Sequence, residues 1–158
     1  MTTVTDGNTK ALKRTIYWLL LLLWLALAVY LSRQTGEQTA DFSGGLTEWL
    51  AGLLARIGIA VELEPLHDVM RRCAHVFIYL VLGFLACRVF CLSFSGKWVI
   101  AAVFLFCFAV GVLDEYQKAF IPGRHCHWND VLVNCICGAV GVIIGLLVRR
   151  VRKKNAEN

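Results

Sequence analysis

The sequence predicts an all-α membrane protein, a bundle of four transmembrane helices with a short amphipathic helix in the first outer loop. Apolar residues make up 58% of the 158 residues and charged residues only 17%, which is unlike the composition of a soluble domain. Four long segments carry little or no charge, and polar stretches separate them. Because one spanning helix needs about 20 apolar residues, the chain has room for a single membrane domain.

The first and last spans are the most clearly marked. Thr15 to Ser32 and Val131 to Val148 are each eighteen residues without a charge, or about 27 Å of α-helix. A cleaved signal peptide is the alternative at the N-terminus, but the apolar run continues past Ala28 without a polar region. We therefore predict a four-helix domain at 15–148, between an N-terminal segment at 1–14 and a basic tail at 149–158.

Two shorter spans lie between them, at Cys73 to Cys87 and Trp98 to Leu113. Both must recruit flanking residues, or basic side chains that extend to the membrane surface, in order to cross. A brief turn containing Gly96 joins them.

The loop before the second span has a helical pattern of its own. It follows a flexible segment, Ser43-Gly44-Gly45, and precedes Pro65. Its apolar residues recur at helical spacing: Leu46, Trp49, Leu50, Leu53, Leu54 and Ile57. The pattern predicts a short amphipathic helix that lies at the outer interface or packs on the bundle.

The distribution of Lys and Arg predicts the topology. With the N-terminus in the cytoplasm, ten basic residues lie inside and six outside, so both termini are predicted to be cytoplasmic. The tail at 149–158 is interpreted as an orientation signal that contacts anionic lipids. Membrane lipids are thus the expected partners, and nucleic acid is not.

Polar residues concentrate at the outer ends of the last three spans. Ionisable residues at membrane depth are costly, and they usually face the bundle interior or a wet cavity. Each has a structural interpretation, as a helix anchor or part of an ion-pair cluster, but together they indicate a polar pocket. The candidate binding residues are Arg71, Arg72, His75, Asp114, Glu115, Arg124, Asp130 and Asn134, with Lys118 as a further cation.

Glu115 and His75 are the candidates for acid–base catalysis. No cofactor and no metal are predicted. The pair most suggestive of a metal is His125 and His127, to which Asp130, Glu115 or His75 could add a further ligand, but a loop position facing solvent is the simpler interpretation of such histidines.

The last span has a stripe of small and polar residues on one helix face. Asp130, Asn134, Gly138, Gly141 and Gly145 follow one another at helical spacing. The glycines of such a stripe allow close helix approach, so they predict tight packing rather than ligand contact.

These residues resemble the VanZ-like family of small bacterial membrane proteins. The order and spacing of the acidic pair, the Pro-Gly-Arg turn and the polar residues of the last span are similar to the family pattern, as are two weaker matches. The strong set is Asp114-Glu115, Pro122-Gly123-Arg124, Asp130, Asn134 and Gly138, and the weaker matches are Ser32-Arg33-Gln34 and Arg71-Arg72-x-x-His75 with Tyr79. The chain departs from the pattern at Lys118, where the family commonly has glutamine, and Gln117 is its neighbour.

The resemblance implies a multi-pass protein of the bacterial plasma membrane. The family is named after a protein associated with resistance to the glycopeptide teicoplanin. This association implies a role in the cell envelope but does not identify a reaction. Two hypotheses follow. The protein binds an anionic lipid-linked or cell-wall ligand through its cations, or it is an outer-leaflet enzyme in which Glu115 or His75 is the general base and the arginines stabilise a developing anion. Whether it is an enzyme stays open at this point.

Overall fold

The computed structural model describes residues 3–34, 36–121 and 128–157, with side chains for 8–34, 44–121 and 128–155. The described backbone forms five helices: α1 (Thr3–Ser32), α2 (Gly36–Arg56), α3 (Leu63–Ser93), α4 (Trp98–Lys118) and α5 (Trp128–Glu157). All except α2 are long and apolar enough to cross a membrane. The prediction of an all-α protein with four spans and a helix in the first loop is confirmed.

Helix α3 extends well beyond the apolar segment that predicted it. It begins at Leu63, so Arg71 and Arg72 lie within the helix rather than in the loop before it. Pro65 is compatible with this start because it lies in the first turn, where its missing N–H removes no helical hydrogen bond.

Helix α2 also begins earlier than expected. Gly44 and Gly45 lie inside it, so the prediction of a flexible segment at these glycines is wrong. The turn between α3 and α4 agrees with its prediction, since Gly96 adopts a φ of +114°, a conformation that favours glycine.

Helix α3 is the centre of the bundle and contacts each of the other four helices. Two tryptophans of α1 tie that helix to α3 through their indole N–H groups. Trp18 donates to the Ser93 hydroxyl at 3.0 Å, and Trp24 donates to the Ile78 carbonyl at 2.9 Å. The first span is thereby held by polar contacts in addition to apolar packing.

The glycine stripe of α5 packs directly against α3. A Cβ added to Gly141 would lie 2.0 Å from the Leu80 carbonyl oxygen, and one added to Gly83 would lie 2.1 Å from the Gly138 carbonyl oxygen. The two backbones approach as closely as glycine allows, in agreement with the packing interpretation of the stripe.

The outer surface of the bundle is apolar. Leu23 of α1, Leu105 of α4 and Ile136 of α5 are all more than 60% exposed. Large apolar side chains exposed along several helices are costly in water and favourable in lipid. The described bundle therefore has the surface of a protein surrounded by hydrocarbon.

Candidate functional site

The candidate site is a cluster of ionisable side chains at the end of the bundle where α4 finishes. Asp114, Glu115 and Lys118 occupy the last turns of α4, and His75 approaches them from α3. We call these four residues the charged cluster. The side chains of Asp114 and Glu115 are 7% and 1% exposed, so the two carboxylates lie in the protein interior.

Lys118 neutralises part of this acidic pair. Its ammonium donates a hydrogen bond to Glu115 Oε1 and lies 3.4 Å from Asp114 Oδ2. The contacts arise because Lys118 is three residues after Glu115 and four after Asp114, which places all three side chains on one face of α4. The Lys118 side chain is only 10% exposed, and its charge is therefore committed to the two carboxylates.

His75 is the most accessible member of the cluster. Its Nε2 atom lies 3.9 Å from Asp114 Oδ2 and 4.0 Å from Glu115 Oε1, while 32% of its side chain is exposed. The Tyr79 ring is one turn further along α3 and is buried, and its centroid lies 5.2 Å from the centroid of the imidazole. The imidazole thus connects two buried carboxylates with the surface.

Gln117 contacts the carboxylate oxygen of Asp114 that does not face Lys118. Its side-chain amide donates to Asp114 Oδ1 at 3.2 Å. The two residues that depart from the resembled pattern therefore have defined contacts, since both Gln117 and Lys118 bind the acidic pair.

Several buried polar atoms have no hydrogen-bond partner among the described residues. They include His75 Nε2, Asp114 Oδ2, Glu115 Oε2 and both amide atoms of Asn134. Asn134 is 1% exposed and packs against Gly111, one turn before the acidic pair. Because buried polar groups are normally paired, these atoms have hydrogen-bonding capacity for a further partner.

The structure brings together some of the predicted site residues and leaves others apart. His75, Asp114 and Glu115 meet in the charged cluster, and Asn134 is buried on the adjacent helix. Three predicted residues, Arg71, Arg72 and Asp130, have exposed side chains near the starts of α3 and α5. The predicted residues Arg124, His125 and His127 lie outside the described residues.

From the sequence, Lys118 was expected to hold the anionic ligand, whereas its ammonium is paired with Asp114 and Glu115. The signal was available, because a lysine three and four residues after two carboxylates on a helix predicts ion pairing. The sequence offered Glu115 or His75 only as additional ligands beside His125 and His127. The structure instead groups His75 and Glu115 with Asp114, and the ligand atoms of these three residues lie within 4.8 Å of one another.

Comparison with known proteins gives one result. The family model described as VanZ/LLP1 matches residues 17–149. No curated protein and no solved structure matches the chain. The matched region contains all of the charged cluster and most of the four spans. Since it also covers most of the 158 residues, the chain belongs to the VanZ/LLP1 family.

Proposed function

We propose that this VanZ-like membrane protein binds an anionic, lipid-linked ligand of the bacterial cell envelope at the outer face of the plasma membrane, and through it contributes to resistance against teicoplanin-type glycopeptides. The proposal rests on a difference between the cations of the site: Lys118 is paired with buried carboxylates, whereas two arginines are exposed. The buried carboxylates are paired with Lys118 and flanked by His75, while Arg71 and Arg72 are exposed on the same helix as His75.

The two arginines are available to an anion. In the part of the chain that the structure describes, neither forms an ion pair with a carboxylate. A guanidinium binds phosphate or carboxylate with two parallel hydrogen bonds. One turn of α3 separates Arg72 from His75, so an anion held by the arginines would lie beside the accessible edge of the charged cluster.

The site lies near the membrane surface, at a depth that the head group of a lipid-anchored ligand can reach. Arg71 and Arg72 precede the apolar part of α3, where basic side chains reach the membrane surface. A ligand with hydrocarbon chains would place its head group at that depth without leaving the bilayer. Under the predicted topology this surface is the outer one, which faces the cell wall.

The Arg71→Ala/Arg72→Ala double variant is expected to bind a polyprenyl diphosphate about tenfold or more weakly than the parent, because charge-assisted hydrogen bonds to the head group are lost. Affinity is measured by titrating the lipid into protein purified in neutral detergent. Arg56→Ala is the matched control, since it removes an exposed arginine from the end of α2 and should leave the affinity unchanged. Equal affinity for the parent and the double variant would refute this role of the arginines.

A second candidate function is catalysis in the outer leaflet, and one specific observation favours it. A partly exposed imidazole within 4.0 Å of two buried carboxylates is an arrangement that can move protons. Binding and catalysis are distinguished by whether the protein converts a lipid into a chemically different product. Purified protein is incubated with extracted envelope lipids, and mass spectrometry then compares the products with those of the Glu115→Gln variant. A changed lipid that forms only with the parent would favour an enzyme, whereas unchanged lipids leave binding as the function.

A further inference from the structure

Three donor atoms of the charged cluster converge from two helices. They are an imidazole nitrogen of His75 on α3 and one carboxylate oxygen each from Asp114 and Glu115 on α4, and all lie within 4.8 Å of one another. One imidazole nitrogen and two carboxylate oxygens form a ligand set of the kind that binds zinc and similar divalent ions.

The separations between these atoms suit a small metal ion. In a tetrahedral site with bonds of about 2.0 to 2.1 Å, neighbouring ligand atoms are about 3.3 to 3.4 Å apart. The imidazole Nε2 of His75 lies 3.9 Å from Asp114 Oδ2 and 4.0 Å from Glu115 Oε1. All three donor atoms lie within 4.8 Å of one another, so side-chain rotations have to bring them closer before they can share one ion.

The three side chains also have binding capacity beyond their contacts with Lys118. His75 Nε2, Asp114 Oδ2 and Glu115 Oε2 are buried, and none has a hydrogen-bond partner among the described residues. Glu115 is 1% exposed, so water does not solvate its second oxygen freely. Lys118 donates to Glu115 Oε1 and lies 3.4 Å from Asp114 Oδ2, but one ammonium does not satisfy two buried carboxylates and an imidazole. Incomplete satisfaction in the interior costs free energy, which a bound cation would recover.

The charge of the cluster points to a cation as well. Two carboxylates face the single ammonium of Lys118, which leaves one negative charge uncompensated when His75 is neutral. Charge in the membrane interior is costly. A divalent ion coordinated by His75, Asp114 and Glu115 would balance both carboxylates and allow Lys118 to leave.

We propose that His75, Asp114 and Glu115 form a site for a divalent transition metal of the zinc class, and that the ammonium of Lys118 occupies the place of that ion when the metal is absent. Lys118 is the last residue of α4, so its long side chain can swing to the membrane surface when the metal binds. The sequence alone predicted no metal here. The site does not depend on anion binding by Arg71 and Arg72.

The test is the affinity of the detergent-purified protein for Zn²⁺, measured by calorimetric titration. The Lys118→Gln variant is expected to bind Zn²⁺ at least about tenfold more tightly than the parent, because the competing positive charge is gone. Lys118→Arg keeps the charge and should show no gain. Adding His75→Ala to Lys118→Gln should weaken binding at least about tenfold by removing a ligand, while the seven cysteines of the chain stay in place.

Two results would overturn the proposal: Lys118→Gln binds Zn²⁺ no more tightly than the parent, or its binding is unaffected by His75→Ala. If Lys118→Gln does not fold without metal, the parent and its His75→Ala variant provide the comparison instead. A rise in Tm when Zn²⁺ is added to the parent, lost in His75→Ala, supports the site. The same rise in both proteins contradicts it.

Discussion

Replacing Lys118 by methionine is expected to destabilise the protein by about 3 to 5 kcal/mol, because it leaves the buried carboxylate of Glu115 without its ionic partner. The Lys118 ammonium contacts both carboxylates, and the Glu115 side chain is 1% exposed. Methionine has a similar volume, so lost packing contributes little. The free energy of unfolding is measured with a chemical denaturant in detergent. Lys97→Met is the matched control, since Lys97 is exposed and its loss should change stability little.

The double variant Lys118→Met/Glu115→Gln is expected to recover most of that loss, because it removes one positive and one negative charge together and so leaves the cluster with the same excess of one negative charge, now on Asp114, as in the parent. The coupling free energy between the two positions should therefore be large compared with the about 0 to 1 kcal/mol of an exposed pair. Additive effects of the two substitutions would show that the charges act separately and would contradict the cluster as a coupled unit.

Alanine at Gly141 or at Gly83 is expected to separate α3 from α5. Each new Cβ would lie about 2 Å from a carbonyl oxygen of the facing helix, the Leu80 oxygen for Gly141 and the Gly138 oxygen for Gly83. Backbone atoms cannot rotate away, so the helices must move apart, at a cost of about 1 to 3 kcal/mol or more for each substitution. The measurement is Tm in detergent for each variant.

Gly52→Ala is the control for the glycine substitutions. Gly52 lies inside α2, and a Cβ there would meet no atom within 4 Å. Alanine at such a position reduces the entropy of the unfolded chain, so it should leave stability unchanged or raise it by up to about 1 kcal/mol. Were Gly141→Ala as stable as Gly52→Ala, the close approach of α3 and α5 would be disproved.

Hydropathy and charge were sufficient to predict the four spans, because a helix exposed to lipid must be long and almost entirely apolar, whereas segments exposed to water are polar. The helix ends were less predictable. Hydropathy marks where a segment enters lipid, and α3 continues beyond that boundary through Arg72 to Leu63. Gly44 and Gly45 suggested a break, yet they lie inside α2, since a glycine penalty of about 1 kcal/mol per residue is small enough for other interactions to offset.

The candidate site was predicted in part. Chain topology alone brought His75 to the same end of the bundle as Asp114 and Glu115, because consecutive spans alternate in direction. Topology does not determine which side chains point inwards, so it could not distinguish the exposed Asp130 from the buried Asn134. The spacing of Lys118 from Asp114 and Glu115 allows an ion pair on one helix face. Whether the pair forms depends on the side-chain rotamers, which the sequence does not determine.

Thiol labelling of intact cells with a membrane-impermeant maleimide tests whether the charged cluster lies at the outer face of the membrane. Two variants each carry one cysteine, at Ser43 or at Asn155, in a chain whose seven native cysteines have been replaced. We expect labelling at position 43 in intact cells and labelling at position 155 only after the cells are permeabilised. The reverse pattern would place His75, Asp114 and Glu115 at the cytoplasmic face and would contradict the proposed envelope ligand.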